Sequence, residues 1–159
     1  MTDWLHWTPD INLPRDVVHV WRTETDVSAS CEASLYNLLA PDERARADRF
    51  LYEEDRRRYT VARGVLRTLL ARYLKVQPGS LDFLYGVHGK PSVLEASDGC
   101  DLRFNLSHSH GLALYAFAIS REVGVDIERV RPNTDIAGVA RRFFSTAEVR
   151  ALSIIPPDE

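Results

Sequence analysis

The chain has 159 residues, of which 45% are hydrophobic and 27% charged, with a formal net charge of −3. This balance is typical of a folded soluble protein, and it excludes a long disordered tail, a collagen-like rod and a disulfide-rich scaffold. The small net charge gives no indication of a nucleic-acid-binding protein. The sequence shows no apolar run of membrane-spanning length, no secretory leader and no metal-ligand spacing of its two cysteines, so it predicts a soluble, cytoplasmic protein.

The hydrophobic pattern predicts an α+β fold. A short strand rich in β-branched and aromatic residues comes first, and a group of helices follows it. Three closely spaced strand patterns come later, and the middle one is apolar on both faces, as expected of a central strand. The last helix begins at Ser145 with Glu148 three residues on, the spacing of a capping box. The predicted strands are 17–21, 81–87, 102–107, 112–119 and 123–127. The predicted helices are 28–39, 53–74 and 135–144, with two more that start at 41 and 145. A turn is predicted at 86–91 and a loop at 92–101.

The strongest helix signal, over residues 53–74, carries both an apolar face and a group of arginines. At 100° per residue, Arg58 projects into the apolar arc, whereas Arg63 and Arg67 line its edge. A buried arginine needs a carboxylate, a hydrogen-bond network or an anionic ligand. The predicted apolar face consists of Ala62, Val65, Leu66, Leu69, Leu70 and Tyr73.

The arginines belong to a basic segment, residues 41–75, which holds ten basic and six acidic side chains. One interpretation is a solvated helix face, and the other is a binding site for an anion.

The pentapeptide from Gly124 to Glu128 is the most informative short motif. On a strand, Asp126 and Glu128 would lie on one face because side chains alternate. Two adjacent carboxylates repel each other unless a cation lies between them, and oxygen ligands suit Mg²⁺. The alternative is the solvent-facing side of an amphipathic strand.

The stretch from Asn105 to His110 is open to three interpretations. A Ser–His pair could act in nucleophilic catalysis, although no GxSxG elbow is present. His108 and His110 could bind a transition metal from one strand face. Alternatively, the serine hydroxyls and an imidazole, with backbone N–H groups, could form an anion pocket.

Taken in order, four motifs resemble the 4′-phosphopantetheinyl transferase family in its Sfp-like branch. Stretches 40–50 and 59–67 also look like the N-terminal lobe of that family, so the resemblance spans roughly 17–152. The four motifs are Gly89-Lys90-Pro91, Phe104-Asn-Leu-Ser-His-Ser109, Val123-Gly-Val-Asp-Ile-Glu128 and Arg142-Phe-Phe-Ser-Thr-Ala-Glu148.

The resemblance implies a pseudo-dimer of two similar lobes, here 1–110 and an incomplete second lobe at 111–159. Coenzyme A and Mg²⁺ would lie in the cleft between the lobes. The enzyme would transfer the phosphopantetheine arm of coenzyme A onto a serine of an acyl or peptidyl carrier protein. It would be a monomer when full-length, without a nucleic-acid or membrane partner.

Carried over by position, the family's site residues fall on identifiable side chains. Asp126 and Glu128 would bind Mg²⁺, and Glu148 matches a glutamate near the reaction centre, a candidate base. The phosphate and nucleotide groups of coenzyme A would contact Arg46, Arg58, Lys90, Ser107 and His108. Of these, Arg58 and His108 would lie at the 3′-phosphate. The helix pattern adds Arg63 to the residues expected to bind coenzyme A.

The sequence departs from the family pattern at the second helix and at its C-terminal end. Many members have lysines at the start of this helix, where the chain has Glu43, Arg44, Ala45 and Arg46, so that only Arg46 is left as a phosphate contact. The family's Trp-x-x-Lys-Glu motif is absent, and we therefore expect a truncated member with slow or no transfer. The alternatives are an inactive remnant that binds coenzyme A or a carrier protein, and a metal-dependent phosphoesterase using His108, His110, Asp126 and Glu128.

Overall fold

The computed structural model describes residues 11–86, 89–93, 101–131 and 135–155. It confirms the mixed α+β class. The chain divides into two compact units, Met1–Glu128 and Arg129–Glu159. The elements are β1 (His19–Glu24), α1 (Ala29–Tyr36), α2 (Pro41–Ala47), α3 (Glu53–Leu74), a short 3-10 helix (Pro78–Ser80), β2 (Phe83–Tyr85), β3 (Pro91–Val93), β4 (Leu102–Ser109), β5 (Leu112–Ile119), α4 (Ile136–Phe143) and α5 (Thr146–Ser153).

The first unit is built on an antiparallel sheet with the strand order β1-β5-β4. The central position of β5 confirms the prediction made from its apolar character on both faces. Tyr115 and Phe117 on β5 are fully buried. In register, Phe117 lies opposite both His19 on β1 and Phe104 on β4, which fixes the faces of all three strands.

Helix α3 packs on the face of the sheet that carries Tyr115 and Phe117. Its bounds agree with the predicted 53–74, and its predicted apolar face forms the core with this sheet face. The Tyr115 hydroxyl donates a hydrogen bond to the Ala62 carbonyl at 3.1 Å, and the Tyr73 ring lies 4.6 Å from that of Phe117. Because an α-helix is straight over this length, these two contacts set the direction in which α3 crosses the sheet.

Other elements differ from their predictions. Residues 91–93, predicted to lie in a turn and a loop, form the strand β3. The strand predicted at 81–87 is shorter: β2 pairs with β3 in a two-stranded hairpin. The strand predicted at 123–127 is wrong, because these residues form no backbone ladder. Of the predicted turn and loop between 86 and 101, residues 87–88 and 94–100 lie outside the described residues.

The second unit contains α4 and α5. Asp135 caps α4 by accepting the Gly138 N–H, and Ser145 caps α5 by accepting the Glu148 N–H, as the capping-box spacing predicted. None of the helices in the described part of the chain combines the length and hydropathy of a transmembrane helix.

Candidate functional site

Residues 123–128, called the acidic segment below, are bound to β4 by side chains. The Asn105 Oδ1 accepts the Val125 N–H at 2.9 Å, and the Ser107 Oγ accepts the Ile127 N–H at 3.2 Å. Asn105 and Ser107 are two residues apart on β4, as are Val125 and Ile127 on the segment. This match of spacing keeps the segment extended, since side chains on one strand face repeat every second residue.

The same hydrogen bonding places the two carboxylates of the segment. The Ser107 hydroxyl donates to Asp126 Oδ1 at 2.7 Å, and the Ser109 hydroxyl donates to Glu128 Oε2 at 3.3 Å. Asp126 and Glu128 are exposed, whereas Val123, Val125 and Ile127 are half-buried. The alternation expected of a strand is thus present without a strand, and both carboxylates face outward beside one strand end.

Asp126 and Glu128 fit a magnesium site of the kind that uses few protein ligands. No group of three His, Cys, Asp or Glu side chains in the described residues could hold a metal ion by itself. Mg²⁺ is commonly held by one or two carboxylates, with water and substrate phosphate oxygens completing the coordination.

Lys90 lies at the beginning of the acidic segment. Its Nζ donates to Glu122 Oε2 at 2.8 Å and to the Val123 carbonyl at 3.3 Å. Lys90 belongs to the β2–β3 hairpin, where its own carbonyl accepts the Gly86 N–H at 3.1 Å. The hairpin therefore places the Lys90 cation at the start of the acidic segment. If residues 123–128 are extended, this start lies roughly 16 Å from Glu128.

Arg58 lies on α3 beside Asp26, and Asp26 contacts the turn between β4 and β5. Its guanidinium pairs with Glu54, and its Nε, which is buried and lacks a hydrogen bond, lies 3.9 Å from Asp26 Oδ1. Asp26 contacts this turn so closely that a Cβ built on Gly111 would lie 2.8 Å from Asp26 Oδ2. Gly111 has a φ of +84°, a conformation that glycine adopts readily.

Ser107 and His108 point to opposite faces of β4. His108 lies opposite Ala113 in register, and Ala113 belongs to the core that packs against α3. His108 therefore shares its face with α3, toward the end where Arg58 lies, and is exposed there. Ser107 is on the acidic-segment side, where its one O–H is already donated to Asp126. Ser107 and His108, which the family resemblance assigns to the phosphates together, thus lie on two different faces of β4.

Arg46 on α2 is exposed and lies over the Tyr59 ring, with 5.4 Å from its Cζ to the ring centroid. Tyr59 directly follows Arg58 on α3. Arg46 is thus available to an anion close to this part of α3.

Arg63 and Arg67 differ from the prediction that placed them at the edge of the apolar face. They are 6% and 1% exposed and both pair with the buried Glu43, whereas Arg58 is only half-buried. The guanidinium of Arg63 also donates to the Tyr85 hydroxyl. Arg63 is thus buried and bound to Glu43 and Tyr85, and we propose no phosphate contact for it.

Glu148 belongs to the second unit, at the first turn of α5. Its Oε2 accepts hydrogen bonds from the Ser145 N–H and hydroxyl at 2.8 and 2.7 Å. The Ser145 hydroxyl and backbone N–H lower the pKa of Glu148 below its ordinary value. The side chain is therefore a carboxylate at neutral pH, and it is exposed.

Sequence reasoning missed three residues around this site: Asn105, Ser109 and Glu43. Asn105 and Ser109 share the i, i+2 spacing of Ser107, a signal that could have been matched to the same spacing in the acidic segment. No local signal identified Glu43, because its partners lie 20 and 24 residues away.

Comparisons with known proteins agree with the resemblance. The family model for the N-terminal part of 4′-phosphopantetheinyl transferases matches residues 26–120. The 4′-phosphopantetheinyl transferase HetI of Nostoc is 42% identical over 98% of this chain and 66% of its own length. Sfp of Bacillus subtilis, a 4′-phosphopantetheinyl transferase, is 29% identical over 77% of this chain and 52% of its own length.

A solved structure also matches. Holo-[acyl-carrier-protein] synthase of Helicobacter pylori, in complex with coenzyme A, has a TM-score of 0.48 and 12% identity over 65% of this chain and all of that chain. The chain spans between about half and two thirds of the two curated relatives named above. The family match covers more than half of the chain, and the protein is thus a member of the 4′-phosphopantetheinyl transferase family.

Proposed function

We propose that the protein transfers the 4′-phosphopantetheine arm of coenzyme A to a serine of an acyl or peptidyl carrier protein, in a Mg²⁺-dependent reaction. The observation that carries the proposal is the placement of Asp126 and Glu128 on one exposed edge of the acidic segment, with Lys90 at its start. Arg58 lies beside Asp26, which contacts the β4–β5 turn. Two carboxylates for a metal, flanked by cations, suit a ligand with separated phosphates.

Asp126 and Glu128 would hold the Mg²⁺. When bound, Mg²⁺ supplies positive charge against the pyrophosphate of coenzyme A, where negative charge grows as the arm leaves. The hydroxyls of Ser107 and Ser109 orient these two carboxylates. Because each hydroxyl donates to one oxygen, the other oxygen of each carboxylate is left for a metal or a bound water.

The cations would bind the phosphates. Arg58 and His108, on the α3 side of the sheet, are proposed at the 3′-phosphate, where the half-buried Arg58 guanidinium would exchange Glu54 for the ligand. Arg46 would contact a phosphate from α2. Lys90 would lie along the nucleotide, after exchanging Glu122 for the ligand. Guanidinium groups suit phosphate because their planar donors match its oxygens.

Other parts of the proposal rest on the family resemblance. Glu148 is proposed as the general base that accepts the serine proton, and its ionised state is compatible with that role. The lobe boundary at 110/111, the pairing of lobes, the monomeric state and the cytoplasmic location are proposed on the same ground.

The first experiment measures coenzyme A binding by calorimetry with and without Mg²⁺. We expect Mg²⁺ to strengthen binding in the wild type and to have no effect in the Asp126→Asn, Glu128→Gln double variant. The control is Glu24→Gln together with Asp16→Asn, which removes the same charge at exposed positions. An unchanged Mg²⁺ response in the double variant would place the metal elsewhere.

The second experiment tests the transfer itself. The chain is incubated with coenzyme A, Mg²⁺ and an apo carrier protein, and the carrier is weighed by mass spectrometry. A gain of one phosphopantetheine on the carrier serine supports the enzyme. Binding of coenzyme A without such a gain supports the non-transferring alternative.

A further inference from the structure

Glu43 is a carboxylate buried at the junction of three elements. It is 1% exposed, and its two oxygens accept from the guanidiniums of Arg63 and Arg67, the latter at 2.5 Å. Oε2 also accepts the Ala40 N–H at the start of α2, at 2.9 Å. These contacts bind α2 to α3 through one side chain.

The two arginines extend this network to the β2–β3 hairpin. Arg67 donates to the carbonyls of Pro78 and Leu81 at 2.8 and 3.1 Å, on the chain leading into β2. Arg63 donates to the Tyr85 hydroxyl at the end of β2. Both guanidiniums lie over the Phe83 ring, at 4.2 and 5.1 Å from its centroid. We call Glu43, Arg63, Arg67 and Tyr85 the Glu43 cluster.

Each element joined by the Glu43 cluster carries one cation of the proposed phosphate site. Arg46 is on α2, three residues after Glu43. Arg58 is on α3, five residues before Arg63. Lys90 is on the hairpin, where its carbonyl accepts the N–H of Gly86, the residue after Tyr85. A shift in any one element would change the spacing between these cations.

We propose that Glu43 is a positioning residue for coenzyme A, one that sets the spacing of Arg46, Arg58 and Lys90 without contacting the ligand itself. The inference rests on the proposed function. Its physical basis is that a buried carboxylate shared by two guanidiniums has few alternative partners: breaking the arrangement leaves uncompensated charge in the interior. The three elements therefore keep one relative arrangement before the ligand arrives, which lowers the cost of ordering the site on binding.

The main test uses Tyr85→Phe, which removes only the hydroxyl that Arg63 binds. Tyr85 is 45% exposed, so we expect this variant to fold. We expect its Kd for coenzyme A to rise about threefold to tenfold. This is less than the full loss of a hydrogen bond to a charged group, because the lost bond acts on the ligand only through the position of Lys90. The control is Tyr52→Phe, at a 67% exposed tyrosine, which should bind as the wild type does.

A double-mutant cycle separates positioning from general stabilisation. If Tyr85 acts through Lys90, Tyr85→Phe should have no further effect on the Kd once Lys90 is replaced by alanine. If Tyr85→Phe weakens coenzyme A binding by the same factor in the wild type and in Lys90→Ala, the inference is overturned for the hairpin.

Glu43→Gln extends the test to the whole cluster. The kinetics of this variant are measured well below its unfolding temperature. We expect a raised KM for coenzyme A, with an unchanged kcat and an unchanged KM for the carrier protein. A lower active fraction with an unchanged KM would indicate a purely structural role. Wild-type protein that does not bind coenzyme A would refute the proposed function, whereas wild-type affinity in both variants would refute this inference alone.

Discussion

The side-chain oxygen of Asn105 accepts the backbone N–H of Val125 at 2.9 Å, the place that a neighbouring strand's carbonyl would take in a sheet. One amide of β4 thus holds the acidic segment at the residue before Asp126. Asn105, which contacts no ligand in our proposal, therefore helps to place Asp126, a proposed Mg²⁺ ligand.

Replacing Asn105 with alanine should loosen the acidic segment. The Val125 N–H then lacks its acceptor, so Asp126 is held by Ser107 alone. We expect the Mg²⁺ concentration for half-maximal coenzyme A binding to rise several-fold, and the Val125 amide to exchange its hydrogen faster. Asn12→Ala, at an exposed position, is the control. Wild-type Mg²⁺ dependence would contradict the assignment.

Replacing Glu122 with glutamine should strengthen coenzyme A binding. Lys90 now donates to this carboxylate and lowers its pKa, so a phosphate must compete with it. At low salt we expect a gain of about twofold to fivefold in affinity, which added salt should reduce. Glu24→Gln removes the same charge elsewhere; an equal gain there would mean that net charge alone matters.

Arg58→Ala and His108→Ala should discriminate between coenzyme A and dephospho-coenzyme A. Each should weaken coenzyme A by about 1.5–3 kcal/mol, the range of hydrogen bonds to charged groups, and dephospho-coenzyme A by much less. Arg57→Ala is the control on α3, since Arg57 pairs with Glu32 and Glu53. Equal losses for the two ligands would remove Arg58 and His108 from the 3′-phosphate.

Two substitutions at Glu148 separate a chemical role from its capping role. Glutamine can still accept the Ser145 N–H but cannot accept a proton, whereas alanine loses both functions. If Glu148 is the base, Glu148→Gln should lower kcat by about 100-fold or more with little change in unfolding temperature. Wild-type kcat in Glu148→Gln would show that the residue only caps α5.

Stability should fall in mild acid because of His19. Its Nδ1 is hydrogen-bonded to the Tyr73 hydroxyl at 2.8 Å, and Trp21 donates to that same oxygen. Burial lowers the pKa of His19 from its ordinary 6.5. The unfolded chain therefore binds this proton at higher pH than the folded chain does. The free energy of unfolding decreases as the pH falls through 6.5 toward the folded-state pKa.

The measurement is thermal unfolding between about pH 8 and pH 5.5, where histidine titrates. Burial raises the pKa of Tyr73 to about 12, so this tyrosine keeps its proton throughout. His19→Gln keeps an acceptor for Tyr73 but cannot titrate, and its unfolding temperature should depend less on pH. The same slope in variant and wild type would assign the acid sensitivity to other groups.

The parts of the fold that sequence predicted well are those with a local cause. Helix α3 has a long periodic apolar face, and α5 has a capping box, so both follow from residues within one element. The acidic segment alternates like a strand, but its partners are the side chains of Asn105 and Ser107. Alternation of apolar and polar residues predicts that the chain is extended and which side chains face outward. It does not predict whether the segment is bound to its neighbour through backbone groups or through side chains.

The arginines show a second limit. The helical pattern placed Arg58 toward the core and Arg63 and Arg67 at its edge, yet the last two are the buried ones. The carboxylate that makes their burial possible, Glu43, comes from a different helix. A helix pattern counts only neighbours on the same helix, so a charge supplied from α2 could not be anticipated from it.

The attachment of the acidic segment through side chains also bears on how the site can vary during evolution. In a sheet, backbone hydrogen bonds join neighbouring strands, and a shift of register moves every side chain of the strand to the other face. Here each contact is one replaceable side chain on β4, which remains paired with β5 whatever that side chain is. Single substitutions at 105, 107 or 109 can therefore change how Asp126 and Glu128 are held while the hydrophobic core is left intact.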